Sequence, residues 1–529
     1  MAATNFTLYH NAYIHTLEEE PVYNWLLSSS GSIVAIGRQN DYPDLSPNKM
    51  KMIDLQGGHV YPAFTDAHTH LFMSALNARH IDLRPANSLD EALQILRHHS
   101  RLFAPGEWIE GYGFDKNLWT DGQPHKKYLD QIFPDNPVVL ESKDCHSIWV
   151  NSPALKAAGL KKDSSNPSGG KLARDGDGAL NGLLYEQALP LVQKQVPAAD
   201  VGPMKQAVKN LFKEFHKRGI TSAHTMEGLK EYGILQDLMN EGQLKLRVSI
   251  YIPYQESAWL TDNQLRSGFG DDWLRLGGVK IFADGSLGSR TAEMLAPYEN
   301  EPQNRGLAHL SEAEISEIVA HAARNGLSPA VHAIGDAAVL KVLRAFQKSL
   351  AWRQKWGFNF RMEHAQLVPE EALPLFRETH TIASMQPIHI ADDVRNAERY
   401  WGARSARAYP IKDMLASGIP LAFGSDTPVA DFDPLKGIFS AAHRRYHLQL
   451  DEAPWRPEQA ISIEQALRAY TIGGAAASGE RHLKGSLKAG KVADFIVLDK
   501  ALSELSESEP LNASVRQTIL SGEIVYQRS

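Results

Sequence analysis

Hydrophobic positions along the chain change pattern twice. From residue 6 to 37 they come in short runs, 6–14, 25–27 and 32–37, separated by turn residues, which predicts β-strands. The C-terminal end repeats the pattern at 493–498 and 519–526, around Gly522. Neither end carries enough apolar residues to bury a core alone. The two ends are therefore predicted to pair, giving one small β-sandwich domain from residues 1–60 and 480–529.

Between 61 and 479 short apolar strands alternate with helical stretches. Strands are predicted at 58–65, 108–112, 137–140, 219–223, 276–282, 328–331, 360–363, 381–385 and 420–423. Helices are predicted at 311–325, 336–350, 369–378 and 463–470. This alternation is the mark of a parallel α/β fold. About eight units imply a closed (β/α)8 TIM-like barrel. An open doubly wound sheet is the alternative, without a Gly-rich dinucleotide or phosphate loop to support it. Residues 115–205 fit the alternation poorly. They are rich in turns such as Asn166-Pro167-Ser168-Gly169-Gly170, with a hairpin expected over 168–182. We read them as an insertion on the catalytic face, a lid or substrate wall.

Composition narrows the function. The net charge of −7 over 529 residues offers no basic footprint for nucleic acid. No apolar run of about 18 residues predicts a membrane span. No Lys or Arg precedes Arg38, which argues against a secretory leader and places the protein in the cytoplasm. Cys145 is the single cysteine, so metal chemistry would rest on nitrogen and oxygen ligands. The expected partner is a small-molecule substrate, and a homo-oligomer fits a chain of this size.

The candidate chemistry sits at predicted strand ends. His68 and His70 are two apart in an extended segment and share a face, with Asp66 on that face to orient a ligand. Alone, such a pair is more often a surface or core feature. Lys280 lies within an apolar strand, where a bare ammonium is costly. Either it pairs with a carboxylate such as Asp284, or it has a lowered pKa and reacts with carbon dioxide. His332, His364 and Asp426 follow three later strands. Singly, each reads as a hydrogen-bonded core histidine or a turn former. In a barrel, however, all six positions meet on one face.

The order His-x-His, Lys, His, His, Asp resembles the amidohydrolase superfamily. Gly111-Tyr112-Gly113-Phe114-Asp115, the stretch from His146 to Leu155, and Asp284-Gly285-Ser286-Leu287-Gly288-Ser289-Arg290 resemble its YtcJ-like branch, amidohydrolase family 3. Val331-His332-Ala333-Ile334-Gly335-Asp336, Ser384-Met385-Gln386-Pro387, Gly424-Ser425-Asp426-Thr427-Pro428 and the stretch from Gly485 to Asp494 extend the likeness over nearly the whole chain. The resemblance implies two divalent metals, Zn²⁺ with Mn²⁺ or Fe²⁺ as alternatives. His68, His70 and Asp426 would hold the first, His332 and His364 the second, and carboxylated Lys280 would bridge them. It implies hydrolysis of an amide, N-acyl or N-formyl C–N bond by a metal-activated hydroxide. Asp426 would act as general base and then acid.

His389, Asp284, Arg290, His146 and Asn151 are the candidate substrate-binding residues, each with a structural reading beside it. Trp119 and Trp149 read as pocket walls or as core. With no Lys or Arg cluster on the expected pocket face, the substrate is expected to be a small, largely uncharged amide. A lactonase- or phosphotriesterase-like hydrolase and a non-catalytic regulator of the same fold are the rival classes.

Overall fold

Eight buried strands form a parallel sheet in chain order: β1 (Phe64–Thr69), β2 (Ile220–Met226), β3 (Arg247–Pro253), β4 (Leu274–Phe282), β5 (Pro329–Ala333), β6 (Arg361–His364), β7 (Ile382–Met385) and β8 (Leu421–Phe423). The ring closes where Thr69 bridges Thr427 just beyond β8. There Asp426 N donates to His68 O at 2.7 Å and His70 N to Thr427 O at 2.9 Å. This computed structural model describes residues 6–18, 22–38, 50–77, 80–197, 200–445, 453–504 and 513–528.

Helices pack outside the ring by their apolar stripes. Glu312–Arg324 buries Ile315, Val319, Ala322 and Ala323, which recur every three to four residues, and a capping box of Ser311 and Glu314 starts it. Asp336–Lys348 buries Val339, Val342, Leu343 and Phe346 in the same way.

Two of the predicted barrel strands belong elsewhere, and one barrel strand escaped the pattern. Ile109–Phe114 and Val138–Ser142 pair in parallel across the helix Lys126–Ile132, so they are a local βαβ unit. They lie, however, in a separate six-stranded sheet inserted between β1 and β2. That sheet runs from Ile81–Asp82 to Leu180–Glu186, and its outer pair is the expected hairpin. Trp119 and Trp149 pack in its core. The strand that was missed is β3. Its inward residues Arg247, Ser249 and Tyr251 are polar yet buried, which hides the apolar signal.

The two chain ends form one seven-stranded sheet. Met50–Pro62 runs through its middle and, after Ala63, continues as β1. The sheet folds back on itself. Ile33 N donates to Lys491 O at 2.8 Å, and Ala493 N to Gly31 O at 2.8 Å. The enclosed core takes Tyr9, Ile14, Leu26, Ile33, Val60, Phe495, Val497 and Ile519 from both ends of the chain.

One buried ion pair fastens this sheet to the barrel. Arg247 of β3 donates to Asp494 through Nε at 2.6 Å and Nη2 at 3.1 Å, and to Ser521 Oγ at 2.7 Å. Removing one partner leaves the other charge buried and unpaired. Asp494→Ala should therefore cost about 3–5 kcal/mol, read as a lower urea midpoint. A midpoint within error of wild type would show that the pair does not hold the two parts together.

Candidate metal centre

The C-terminal ends of the barrel strands bring six ionisable side chains to one place. β1 carries His68, and His70 follows it; β4 carries Lys280; His332 and His364 lie on β5 and β6; Asp426 follows β8. All but His70 are buried. Asp426 Oδ1 lies 3.3 Å from His68 Nε2 and 3.3 Å from His70 Nε2. The ligand atoms of these three residues all fall within 4.8 Å of one another. Donors around a tetrahedral Zn²⁺ with bonds of about 2.0–2.1 Å stand roughly 3.3 Å apart. The trio therefore has the chemistry and spacing of half a metal site or more.

Lys280 Nζ lies 3.3 Å from His68 Nε2 and over the Phe282 ring. Burial lowers its pKa to about 8. Asp284 is not its partner. That carboxylate instead accepts from the backbone N–H of Glu293, Ile334 and Gly335 at 2.8–3.1 Å. The rings of His332 and His364 are 4.5 Å apart, and that of His364 is 5.0 Å from His68.

Hydrogen bonds behind the rings set which nitrogen faces the centre. His68 Nδ1 donates to Glu363 Oε2 at 2.6 Å, leaving the Nε2 lone pair. His364 Nδ1 donates to Gln386 Oε1 at 2.9 Å, again leaving Nε2. His332 Nε2 donates to Gly285 O at 3.0 Å, leaving Nδ1. Burial lowers the pKa of all three, that of His68 to about 4, so neutral ligating imidazoles are favoured. Burial opposes ionisation of Asp426, but the His68 and His70 imidazoles hold its carboxyl well below the usual range.

Local backbone serves this geometry. His364 and Asp426 both have left-handed φ, 73° and 59°, uncommon for such residues and a feature of functional sites. Asp66 fixes the turn before Asp426. It accepts from Ser425 N at 2.9 Å, from Ser425 Oγ at 2.5 Å and from His68 N at 3.2 Å. Gly424 must lack a side chain, because a Cβ there would lie 2.5 Å from His68 N.

A family model described as the amidohydrolase family matches residues 51–526. The chain belongs to the amidohydrolase family. Among known relatives it is 29% identical to putative amidohydrolase YtcJ of Bacillus subtilis, over 99% of both chains. It is 33% identical to Protein LONG AFTER FAR-RED 3 of Arabidopsis thaliana, over 90% of this chain and 83% of that one. It is 25% identical to an N-substituted formamide deformylase of Arthrobacter pascens, over 95% of each. Among solved structures, an uncharacterized metal-dependent hydrolase from Pyrococcus horikoshii superposes with a TM-score of 0.78 at 28% identity. That match covers 96% of this chain and all of the other. Membership of this family, with neighbours of this kind, supports a hydrolase.

The amidohydrolase centre opens into a cleft lined in part by the insertion. His146 lines it, and its ring is 5.5 Å from His332. Burial works against a charge on His146, yet the Glu186 carboxylate 2.9 Å away raises its pKa to about 9. His389 also lines the cleft and binds Ser425 O through Nε2 at 2.9 Å.

The other three candidates for substrate contact lie elsewhere. Asp284 staples loop backbone, as above. Arg290 pairs with Glu301 at 3.0 Å and stacks on Tyr400, one layer behind the cleft. Asn151 caps the helix Ser152–Ala157 inside the insertion. Its Oδ1 accepts from Ala154 and Val138, and its Nδ2 donates to Phe133 and Asn136. All of its capacity is spent on backbone, so it has none for a substrate.

Sequence reading passed over Glu363, although it directly precedes His364. It also passed over Lys116, Lys143 and Asp144, which follow strands of the insertion and line the cleft. The expectation of an uncharged substrate rested on a pocket face without lysines, and that premise does not hold. Glu363 is clamped by Arg361 at 2.9 Å, and both are fully buried. Glu363→Gln leaves the buried Arg361 charge unpaired and should lower the urea midpoint, and in the protein that folds it should weaken metal binding about 10–100-fold, measured by chelator competition. Unchanged affinity would show that the carboxylate does not support His68.

Proposed function

We propose that this amidohydrolase cleaves an amide-type C–N bond, N-acyl or N-formyl, in a small molecule. The supporting observation is the convergence of His68, His70 and Asp426 with the Nζ of buried Lys280 at the barrel mouth. The deformylase name of one relative agrees with it. In this reading His68, His70 and Asp426 hold one divalent metal and His332 and His364 a second, with Zn²⁺ best suited to the donor set and Mn²⁺ or Fe²⁺ as alternatives. Bound metal supplies Lewis acidity, polarising the scissile carbonyl and making water a nucleophile near neutral pH.

The side chains divide the remaining work. Burial keeps an appreciable fraction of Lys280 as the free amine. That amine adds to carbon dioxide, forms an N–C bond and loses a proton, giving a carbamate at the position between the two ligand groups. Asp426 Oδ1 faces the two β1-side imidazoles, while Oδ2 lies on the His364 side, 4.0 Å from its Nδ1. Oδ2 is the oxygen placed to take the proton of the attacking water and return it to the leaving amine. Protonated His146 lines the cleft as a hydrogen-bond donor to the substrate, while His389, whose Nε2–H is donated to Ser425 O, offers its Nδ1 lone pair as an acceptor.

Two measurements test this reading. Metal per chain should be close to two in protein purified without chelators and should fall in Lys280→Ala. An unchanged content of about one would remove the lysine bridge. Asp426→Asn, loaded with metal, should lose about 10²–10⁴ in kcat on an N-formyl or N-acyl amine while remaining folded. Near-normal turnover would remove Asp426 as the proton carrier. Parallel panels of lactones and phosphotriesters give the comparison, and activity confined to those would overturn the C–N assignment.

A further inference from the structure

Besides protonated His146, the cleft contains a lysine whose ammonium makes no hydrogen bond to the protein among the described residues. Lys116 is only 8% exposed and lines the same cleft as His332, His364 and Asp426. Its Nζ lies 5.2 Å from the centre of the Tyr185 ring and donates to no described residue. Several polar neighbours there are already engaged. Lys143 is paired with Asp392 at 2.7 Å. Asp144 accepts the hydroxyls of Ser142, Ser286 and Ser289 at 2.5–2.8 Å and the N–H of His146 at 3.2 Å. Asn117 donates to Gly288 O at 3.2 Å and accepts from Tyr400 at 3.1 Å. Asp393 takes the amide of Gln366 at 2.6 Å and the hydroxyl of Tyr409.

The stem of Lys116 is buried while its ammonium opens to the cleft, so its three N–H groups are available to a ligand. A lysine spent on balancing charge would close on Asp144 or Asp115. Both act on it electrostatically, but neither forms an ion pair with it within 4 Å among the described residues. The ammonium thus shares a cleft with His332, His364 and Asp426 and has no protein acceptor among the described residues.

We propose that Lys116 anchors a carboxylate on the substrate, so that the amide cleaved carries a monoanionic acid group beyond its scissile bond. The proposal rests on the amide-hydrolase reading above and names its substrate class. A monoanion fits better than a phosphate dianion, because Asp115 and Asp144 stand close enough to repel a second negative charge. The other lysine in the cleft is already neutralised by Asp392.

Isothermal titration of the purified metalloprotein with hexanoate and with hexanamide tests this without turnover. Wild type should bind hexanoate at least about tenfold tighter than hexanamide, the scale of one hydrogen bond to a charged group. Lys116→Met should reduce the preference to within about twofold. Lys116→Arg keeps the cation and should keep the preference. Equal binding of hexanoate to wild type and Lys116→Met would overturn the proposal, since the carboxylate would then sit elsewhere. So would a fall in Tm with loss of both ligands, which marks a structural lysine. A folded Lys116→Arg that does not favour hexanoate would overturn it too, and this arm stands even where the Met variant fails to fold. Binding through Lys116 by a protein that cleaves no amide would refute the amide reading alone, so the two failures are distinguishable.

Discussion

The buried guanidinium of Arg361 holds the centre of the barrel together. From β6 it reaches Ala67 O on β1 at 2.7 Å, His224 Nδ1 on β2 at 2.8 Å, the Tyr251 hydroxyl on β3 at 2.9 Å and Ser384 Oγ on β7 at 3.2 Å. Its remaining bonds go to both oxygens of Glu363, at 2.9 and 3.1 Å. A buried ion pair is costly unless its remaining hydrogen bonds are made. Here every N–H of the guanidinium has an acceptor, and five strands are tied to one side chain. Burial opposes the charge on Glu363, but Arg361 holds the carboxylate ionised, well below its usual pKa.

That ionised carboxylate sets the chemistry one step outward. Glu363 accepts from His68 Nδ1 and thereby fixes the tautomer and ring direction of the first ligand. Gln386 and Gly285 O do the same for His364 and His332 with uncharged acceptors. The three imidazoles thus present Nε2, Nε2 and Nδ1 toward one centre because of bonds the protein makes to itself. An ion entering such a centre need not pay for reorienting the rings, which is the value of a rigid supporting layer.

Much of this was readable in the residues, and the parts that were not have specific reasons. A (β/α)8 barrel that gathers His68, His70, Lys280, His332, His364 and Asp426 at its strand ends follows from period and position, because parallel strands bring their ends to one face. The helices at 311–325 and 336–350 carry apolar stripes, and the structure starts and stops them within two residues of those bounds. The strands at 109–114 and 138–142 are a genuine βαβ unit, and nothing local tells which sheet such a unit joins. β3 was hidden because Arg247, Ser249 and Tyr251 point inward to Asp494, Glu480 and Arg361, partners far away in sequence. Glu363 was hidden for the same reason, since its meaning comes from His68, 295 positions earlier. Asn151 misled in the opposite direction. A polar residue in a distinctive stretch suggests a substrate contact, yet local backbone consumes all four of its bonds.

The insertion and the metal centre are also mechanically one unit. The loop that follows Lys280 is held on its barrel side by Asp284, which accepts three backbone N–H groups around Glu293 and Gly335. It is held on its outer side by Asp144 of the insertion, through Ser286 and Ser289, and by Glu186, through Thr291. Gly285, whose carbonyl fixes the His332 tautomer, lies between these two sets of anchors. Glu186 in turn sets the proton on His146, whose ring faces His332. A displacement of the insertion therefore moves Gly285 and His146 together. The insertion is thus bonded to the same loop whose carbonyl orients His332, which ties its position to that of the centre.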